Sequence, residues 1–303
     1  MQNLKAAPNS SNLRQEKTTF GLITPSYAPD FERCQLLCLT REQCLPSDVK
    51  HYIVVDRRDV PLFKQLSNQT TEILVVEDIL PWWIKRIPLA KQGWVSLKSL
   101  PIRNWILQQV VKLSIAQIVD EDILGFVDSD AAFIRAFDPQ DFVREGKVRL
   151  YREPASIPDY WQNFQRWYQA GSFLLKAPQV TYPAPNYIGD LITWKRTNVF
   201  KLYRYLEETH GRPWIETIIR TPHFSEYILY GMFVEYILKE ASEHYYDQTY
   251  PGLHYFSEEP LSVDGARSFL SKAEPHHVTA MISAKSGTPI EHYQDLIKNM
   301  LVA

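Results

Sequence analysis

A chain of 303 residues with 45% apolar and 22% charged side chains can bury about three quarters of its unfolded surface, in one large domain or a domain with an appendage. The formal net charge of -2 gives a polyanion no electrostatic hold, which sets nucleic acid aside as a partner. No stretch reaches the roughly 18 uninterrupted apolar residues of a membrane span, so a soluble protein with at most peripheral membrane contact is expected.

Residues 1–17 are polar and lack an apolar segment, which predicts a disordered tail and not a secretory leader. Beyond it, short apolar runs alternate with helical patterns. Residues 19–23 are predicted as a strand, 31–44 as a helix, 49–55 and 72–76 as strands, 102–119 as a helix started by Ser99 and Pro101, and 123–127 as a fourth strand. Strands apolar on successive residues are covered on both faces, hence a mostly parallel sheet flanked by helices. The second half is less regular: strands over 147–151, 187–193 and 278–283, helices over 161–175, 198–208 and 225–241. Prolines 154, 158, 178, 183 and 185 bracket the middle helix, so 153–185 reads as a mobile flap or an insertion.

The three cysteines, Cys34, Cys38 and Cys44, are an odd count in one short segment, which points to reduced thiols in a cytoplasmic protein. Cys34 and Cys38 share a helix face, but no partner follows at metal-finger spacing, so they read as buried structural thiols. The chain is rich in rings, with 17 Tyr, 14 Phe and 8 Trp, which fill cores or stack on flat ligands and sugar faces. Trp161, Trp167 and Tyr168 are spaced for either use.

Two Asp-x-Asp triplets flank the fourth strand. Asp120-Glu121-Asp122 precedes it and Asp128-Ser129-Asp130 follows it. Ligands of open α/β sheets bind beyond the carboxyl ends of strands, so the second triplet is where chemistry belongs. Two carboxylates two residues apart offer hard oxygen ligands to Mn²⁺ or Mg²⁺, which can bridge a diphosphate. The bland alternative is a solvated turn ahead of Asp138-Pro139. No Gly-x-Gly-x-x-Gly or Walker loop occurs, which argues against dinucleotide dehydrogenases and P-loop NTPases. On the 102–119 helix, Asn104, Gln108 and Lys112 form a polar stripe while Gln109 falls in an apolar arc, where an unpaired amide would cost roughly 1 to 3 kcal/mol. Gln109 and Lys112 therefore either contact a ligand, or bond to neighbouring backbone and reach for water.

The segment Gly125-Phe126-Val127-Asp128-Ser129-Asp130, with Ile23-Thr24-Pro25-Ser26-Tyr27 upstream, resembles bacterial glycosyltransferases of the type A (GT-A) fold. Three further stretches are similar to one less characterised branch: residues 108–113, 192–196, and 224–227 followed by Leu229-Tyr230-Gly231. The resemblance implies a GT-A-like, Rossmann-like sheet with a nucleotide-binding part over about 18–152 and a helical acceptor-side part over about 153–303. It implies a metal-dependent, hexosyltransferase-like enzyme moving a sugar from a UDP-, GDP- or dTDP-sugar to an acceptor hydroxyl on a glycan, lipid or small metabolite. Thr24, Pro25, Ser26 and Tyr27 would line the nucleotide pocket, with Asp56 bonding to the base or else ending a turn near Arg57-Arg58-Asp59. Gln109, Lys112, Asp128 and Ser129 would meet the rest of the donor, and Asp128, Asp130 and a late histidine, His276 or His277, would hold the metal. Glu226 is the leading candidate for the base, unless it only complements a helix dipole, and Asp190 is the second candidate for binding or catalysis at the sugar. The competing readings are a non-catalytic nucleotide-sugar or carbohydrate-binding protein, and a sugar nucleotidyltransferase whose usual glycine-rich basic loop is missing.

Overall fold

The computed structural model describes residues 18–87, 93–98 and 102–301; the 1–17 tail and the helix start at Ser99 and Pro101 lie outside them. The central sheet has five strands: β1 (Phe20–Pro25), β2 (Lys50–Val55), β3 (Thr71–Val75), β4 (Ile123–Phe126) and β5 (Ile192–Lys195). Their order is β5-β4-β1-β2-β3. All neighbours are parallel except β5, which runs antiparallel to β4. This is the expected mixed α/β arrangement, a mostly parallel sheet flanked by helices.

Alternation along a strand decides which helix each side chain meets. Ile53 and Val55 pack with Cys34 and Cys38 of α1 (Phe31–Cys44), whereas Val54 joins Leu107, Val110 and Val111 of α2 (Asn104–Ser114) on the other face. All three cysteines are buried and free. In the middle of β4, a Cβ on Gly125 would lie 2.2 Å from the Phe20 ring, so only glycine lets that ring cross the sheet.

Residues 153–185 are built into the body of the molecule and not hung from it. Glu153–Ile157 pairs antiparallel with Ala184–Asn186, and between them α3 (Gln162–Leu175) buries Tyr168, Leu174 and Leu175 in the main core. Pro154 and Pro185 lie within this two-stranded pair, and Pro158, Pro178 and Pro183 lie between its strands and α3. The expected 187–193 strand forms later, as β5, because Leu191 adopts a left-handed backbone, φ 52°, outside the β region, which delays the regular ladder with β4 until Ile192. After α4 (Arg196–His210) and a short helix, Trp214–Ile219, the helix α5 (Glu226–Met232) continues through a π-helical stretch, Phe233–Leu238. Two further strands, β6 (Gly252–Tyr255) and β7 (Thr279–Ile282), run parallel, and β7 pairs antiparallel with Ala131–Phe133. Among the described residues no helix is long and apolar enough to cross a membrane.

Candidate active site

The site is built at the carboxyl end of β4. Val127 still donates to the Ile23 carbonyl, 3.1 Å, and the chain then turns so that Ala131 N–H bonds the Asp128 carbonyl at 3.1 Å. That turn separates three consecutive side chains. Asp128 projects into a cleft of about 650 Å³. Ser129 points the other way, buried, its hydroxyl donating to Asp30 at 3.5 Å, so it is not placed to meet a donor in the cleft. Asp130 turns toward the end of β7, where Oδ2 accepts from Ala284 N–H at 2.8 Å. Burial, followed by the charge of Asp128, pushes Asp130 up to about 7 against the pull of that N–H.

Lys112 of α2 is the cation nearest Asp128. Its Nζ donates to the Tyr227 hydroxyl at 2.9 Å and lies 3.3 Å from Glu226 and 3.6 Å from Asp128. Burial opposes the charge of Lys112, but Tyr227, Asp128 and Glu226 outweigh it and keep the ammonium well above its ordinary range. Glu226, the first residue of α5, lines the cleft while nearly buried; burial raises its pKa and Lys112 opposes the rise. Gln109 lines the cleft and is bonded to neighbouring backbone. Its amide donates to Trp105 O at 3.2 Å and accepts from Glu226 N–H at 2.9 Å, pinning the start of α5 to α2.

A second, smaller pocket of about 270 Å³ opens at the ends of β1 and β2. Pro25, Ser26, Tyr27 and Asp56 line it together, with Arg58, Arg86 and Trp94. Asp56 accepts from Arg86 Nη1 at 2.7 Å, with Arg58 at 3.6 Å. Thr24 is not on this wall: its side chain is fully buried, with Oγ1 2.9 Å from His51 Nε2. Strand alternation turns Thr24 into the α1 layer just before the loop begins. Gln108 lines both cavities, has no hydrogen-bond partner among the described residues, and sits one helical turn before Lys112.

Asp190 lies behind the cleft and not on it. Its Oδ2 accepts from the Thr279 hydroxyl at 2.6 Å, Oδ1 accepts from Leu191 N–H at 3.1 Å, and His254 Nε2 stands 3.9 Å away. His254, from β6, is the cleft-facing member of this group and was missed by sequence reasoning, since β6 carries no periodic signal of its own. The Tyr250 hydroxyl, 2.7 Å from His254 Nδ1, accepts from Asp190 N–H at 3.0 Å. A Cβ on Gly252 would fall 2.8 Å from His254 Nε2 and 3.2 Å from Asp190 Oδ2, so glycine there lets the two groups meet.

The expected late histidine is elsewhere. In the antiparallel register Met281 faces Ala131 and Thr279 faces Phe133, so the Asp130 end of β7 is the end that leads to Ala284. His277 precedes the opposite end, where its carbonyl accepts from Arg135 at 2.8 Å and its Nδ1 accepts from Glu274 N–H at 2.9 Å. His276 pairs with Glu274 at 3.4 Å. Neither stands beside the aspartates, and among the described residues no group of three or more His, Cys, Asp or Glu is gathered to hold a metal ion. Of the three rings singled out, Trp167 lines the cleft, Trp161 is half-exposed at the start of α3, and Tyr168 is core, its hydroxyl bonded to the Pro185 carbonyl.

Among solved structures, the chain is similar to mouse xyloside xylosyltransferase 1 in its apo form, at 10% identity and a TM-score of 0.48, over 90% of this chain and 100% of that one. No curated protein matches the sequence. Over residues 20–293 the sequence matches the model of a family described as a family of unknown function (DUF6492), and the chain belongs to that family.

Proposed function

We propose that this protein is a glycosyltransferase of GT-A-like architecture that binds a UDP-, GDP- or dTDP-sugar with Mn²⁺ or Mg²⁺ and passes the sugar to an acceptor hydroxyl. The observation that carries the reading is the position of Asp128 and Asp130, where the central strand ends and a small pocket and a larger cleft are both lined by Gln108. A nucleoside suits the small pocket: Tyr27 is 41% exposed and free to stack, and Asp56 is fixed by Arg86 at the pocket wall. A sugar and its acceptor suit the cleft.

The residues present fit a hard divalent cation. Asp130 is a part-buried acid raised by desolvation and then by its neighbour Asp128, and two such carboxylates are relieved by a cation. Two carboxylates are also the usual protein share of a Mg²⁺ site, the remaining positions being taken by water and substrate phosphate. Held by Asp128 and Asp130, the ion would supply the charge that neutralises a departing diphosphate.

The chain's own groups would do the rest. Lys112 places a fixed positive charge beside Asp128, where the diphosphate would lie. Glu226 would receive the acceptor's proton: it lines the cleft, and burial has already made its carboxylate more basic than an exposed one. Asp190, with Tyr250, would orient His254 toward the acceptor hydroxyl.

The test is incubation with Mn²⁺ or Mg²⁺ and a panel of UDP-, GDP- and dTDP-sugars, scored by thermal shift and by nucleoside diphosphate release. Metal-dependent stabilisation with release is expected. Stabilisation without release, with acceptors supplied, would favour a binding protein; pyrophosphate release would favour a nucleotidyltransferase; no response to any donor would overturn the reading.

A further inference from the structure

Helix α3 has one apolar face, and folding buries only part of it. Tyr168, Leu174 and Leu175 fill the core. Toward its start the same face carries Phe164 and Trp167, half-buried against that core, and is continued by Trp161 at the helix start, 44% exposed. These rings join others in a row. Trp105 of α2, 49% exposed, stacks on Trp167 at 5.9 Å. Trp167 meets Phe164 at 4.8 Å, Phe164 meets Trp161 at 5.4 Å, and Trp161 meets Tyr160 at 6.5 Å. Trp105, Phe164 and Trp167 line the cleft that holds Asp128 and Glu226, whereas Tyr160 is 73% exposed at the surface. A contiguous row of exposed and half-buried rings leading out of a cleft is the mark of a ligand groove.

The chemistry beside the rings identifies the occupant. Gln108, one turn beyond Trp105, presents an amide with no partner among the described residues, and Glu153 presents an exposed carboxylate on the same cleft wall. A lipid tail requires apolar cover throughout and gains nothing from these groups. A pyranose has a CH face for the ring and hydroxyls at its edge for the amide and carboxylate. We infer that the acceptor is an oligosaccharide, its reacting unit near Glu226 and its further units laid along the row from Trp105 to Trp161. This rests on the glycosyltransferase reading for the reaction, but the groove can be tested without it.

Linear oligosaccharides of the cello, xylo, chito and malto series are titrated into the full chain without donor, following tryptophan fluorescence and saturation-transfer NMR. In at least one series the affinity rises about three- to tenfold from disaccharide to tetrasaccharide, as for one or two added ring contacts. Trp161→Ala, at a half-exposed position, removes that gain; its melting temperature and a UDP titration check that it is folded. Affinity independent of chain length in every series, or a gain that survives Trp161→Ala, overturns the inference. So does an alkyl glycoside whose affinity grows with the alkyl chain and not with the number of sugars. If the length dependence stands while no nucleotide sugar binds, the donor reading fails and the groove remains; the reverse result removes the groove alone.

Discussion

Asp120, Glu121 and Asp122 lead into β4, and Asp128, Ser129 and Asp130 lead out of it. At the first end Glu121 and Asp122 are spent on structure. Asp122 accepts from Thr19 N–H and hydroxyl at 3.0 and 2.9 Å, Glu121 accepts from the Tyr52 hydroxyl at 2.8 Å, and Asp120 stands in solvent 3.3 Å from Arg196. At the second end the acids outnumber their partners. Asp128 shares Lys112 with Glu226, and Asp130, which has one backbone N–H, also feels the charges of Asp30 and Asp190. The same residue pattern is therefore a fastening at one end of a strand and an unbalanced negative site at the other. Sheet polarity and surrounding charge separate them, not composition.

The largest effect expected from breaking this contrast is in Asp130→Ala. It should abolish metal-dependent nucleotide binding and lower transfer on the order of a thousandfold or more, whereas Asp120→Ala leaves both unchanged. Titration calorimetry with Mn²⁺ and UDP, alongside nucleotide release, checks it; equal behaviour of the two variants would dissolve the distinction. Next comes Glu226→Gln, expected to slow transfer by about a hundredfold with donor affinity retained. Full turnover in that variant would remove Glu226 as the base, and attention would pass to His254.

The first half of the molecule was largely legible because its signals are local. The 31–44 helix was readable from its helical pattern and the strands around it from unbroken apolar runs, and the place of Asp128 and Asp130 at a strand end followed from one of those runs. What could not be read is orientation. Thr24, near the end of β1, and Ser129, in the turn after β4, both face inward, because strand and turn geometry, not residue type, decides which neighbour reaches the pocket. His277 was favoured for being late in the chain and paired with His276, yet the antiparallel register of β7 carries it away from Asp130. His254 reaches the cleft on a four-residue strand that pairs with another late strand, a long-range contact with no local periodicity. Gln109 shows the opposite outcome: an amide in an apolar arc demanded partners, and it found them in backbone.

A smaller effect follows from the charge imbalance itself. In the metal-free protein Asp130 has a folded pKa of about 7, above its unfolded value. Its protonated form favours the folded state below the unfolded pKa, and this stability is lost as pH rises through about 7. Asp130→Asn removes the buried charge and keeps an oxygen for Ala284 N–H. The variant should therefore melt a few degrees above the wild type at about pH 8, with the difference closing toward about pH 4. A difference that grows on acidification would mean that Asp130 is ionised and well compensated in the absence of metal.

The smallest effect belongs to the structural end of β4, and it sharpens the comparison most because its sign is reversed. Asp122 receives two bonds from Thr19, and Thr19 Oγ1 in turn accepts from Asp122 N–H at 2.9 Å, so the pair ties the start of β1 to the start of β4. These bonds are solvent-exposed, where a hydrogen bond is worth on the order of 1 kcal/mol. Asp122→Ala should lower unfolding stability by about that amount in urea, with an unchanged slope, and leave nucleotide affinity and turnover per folded molecule intact. Loss of activity without loss of stability in Asp122→Ala would place chemistry at the amino end of the strand, and the assignment of the two triplets would have to be exchanged.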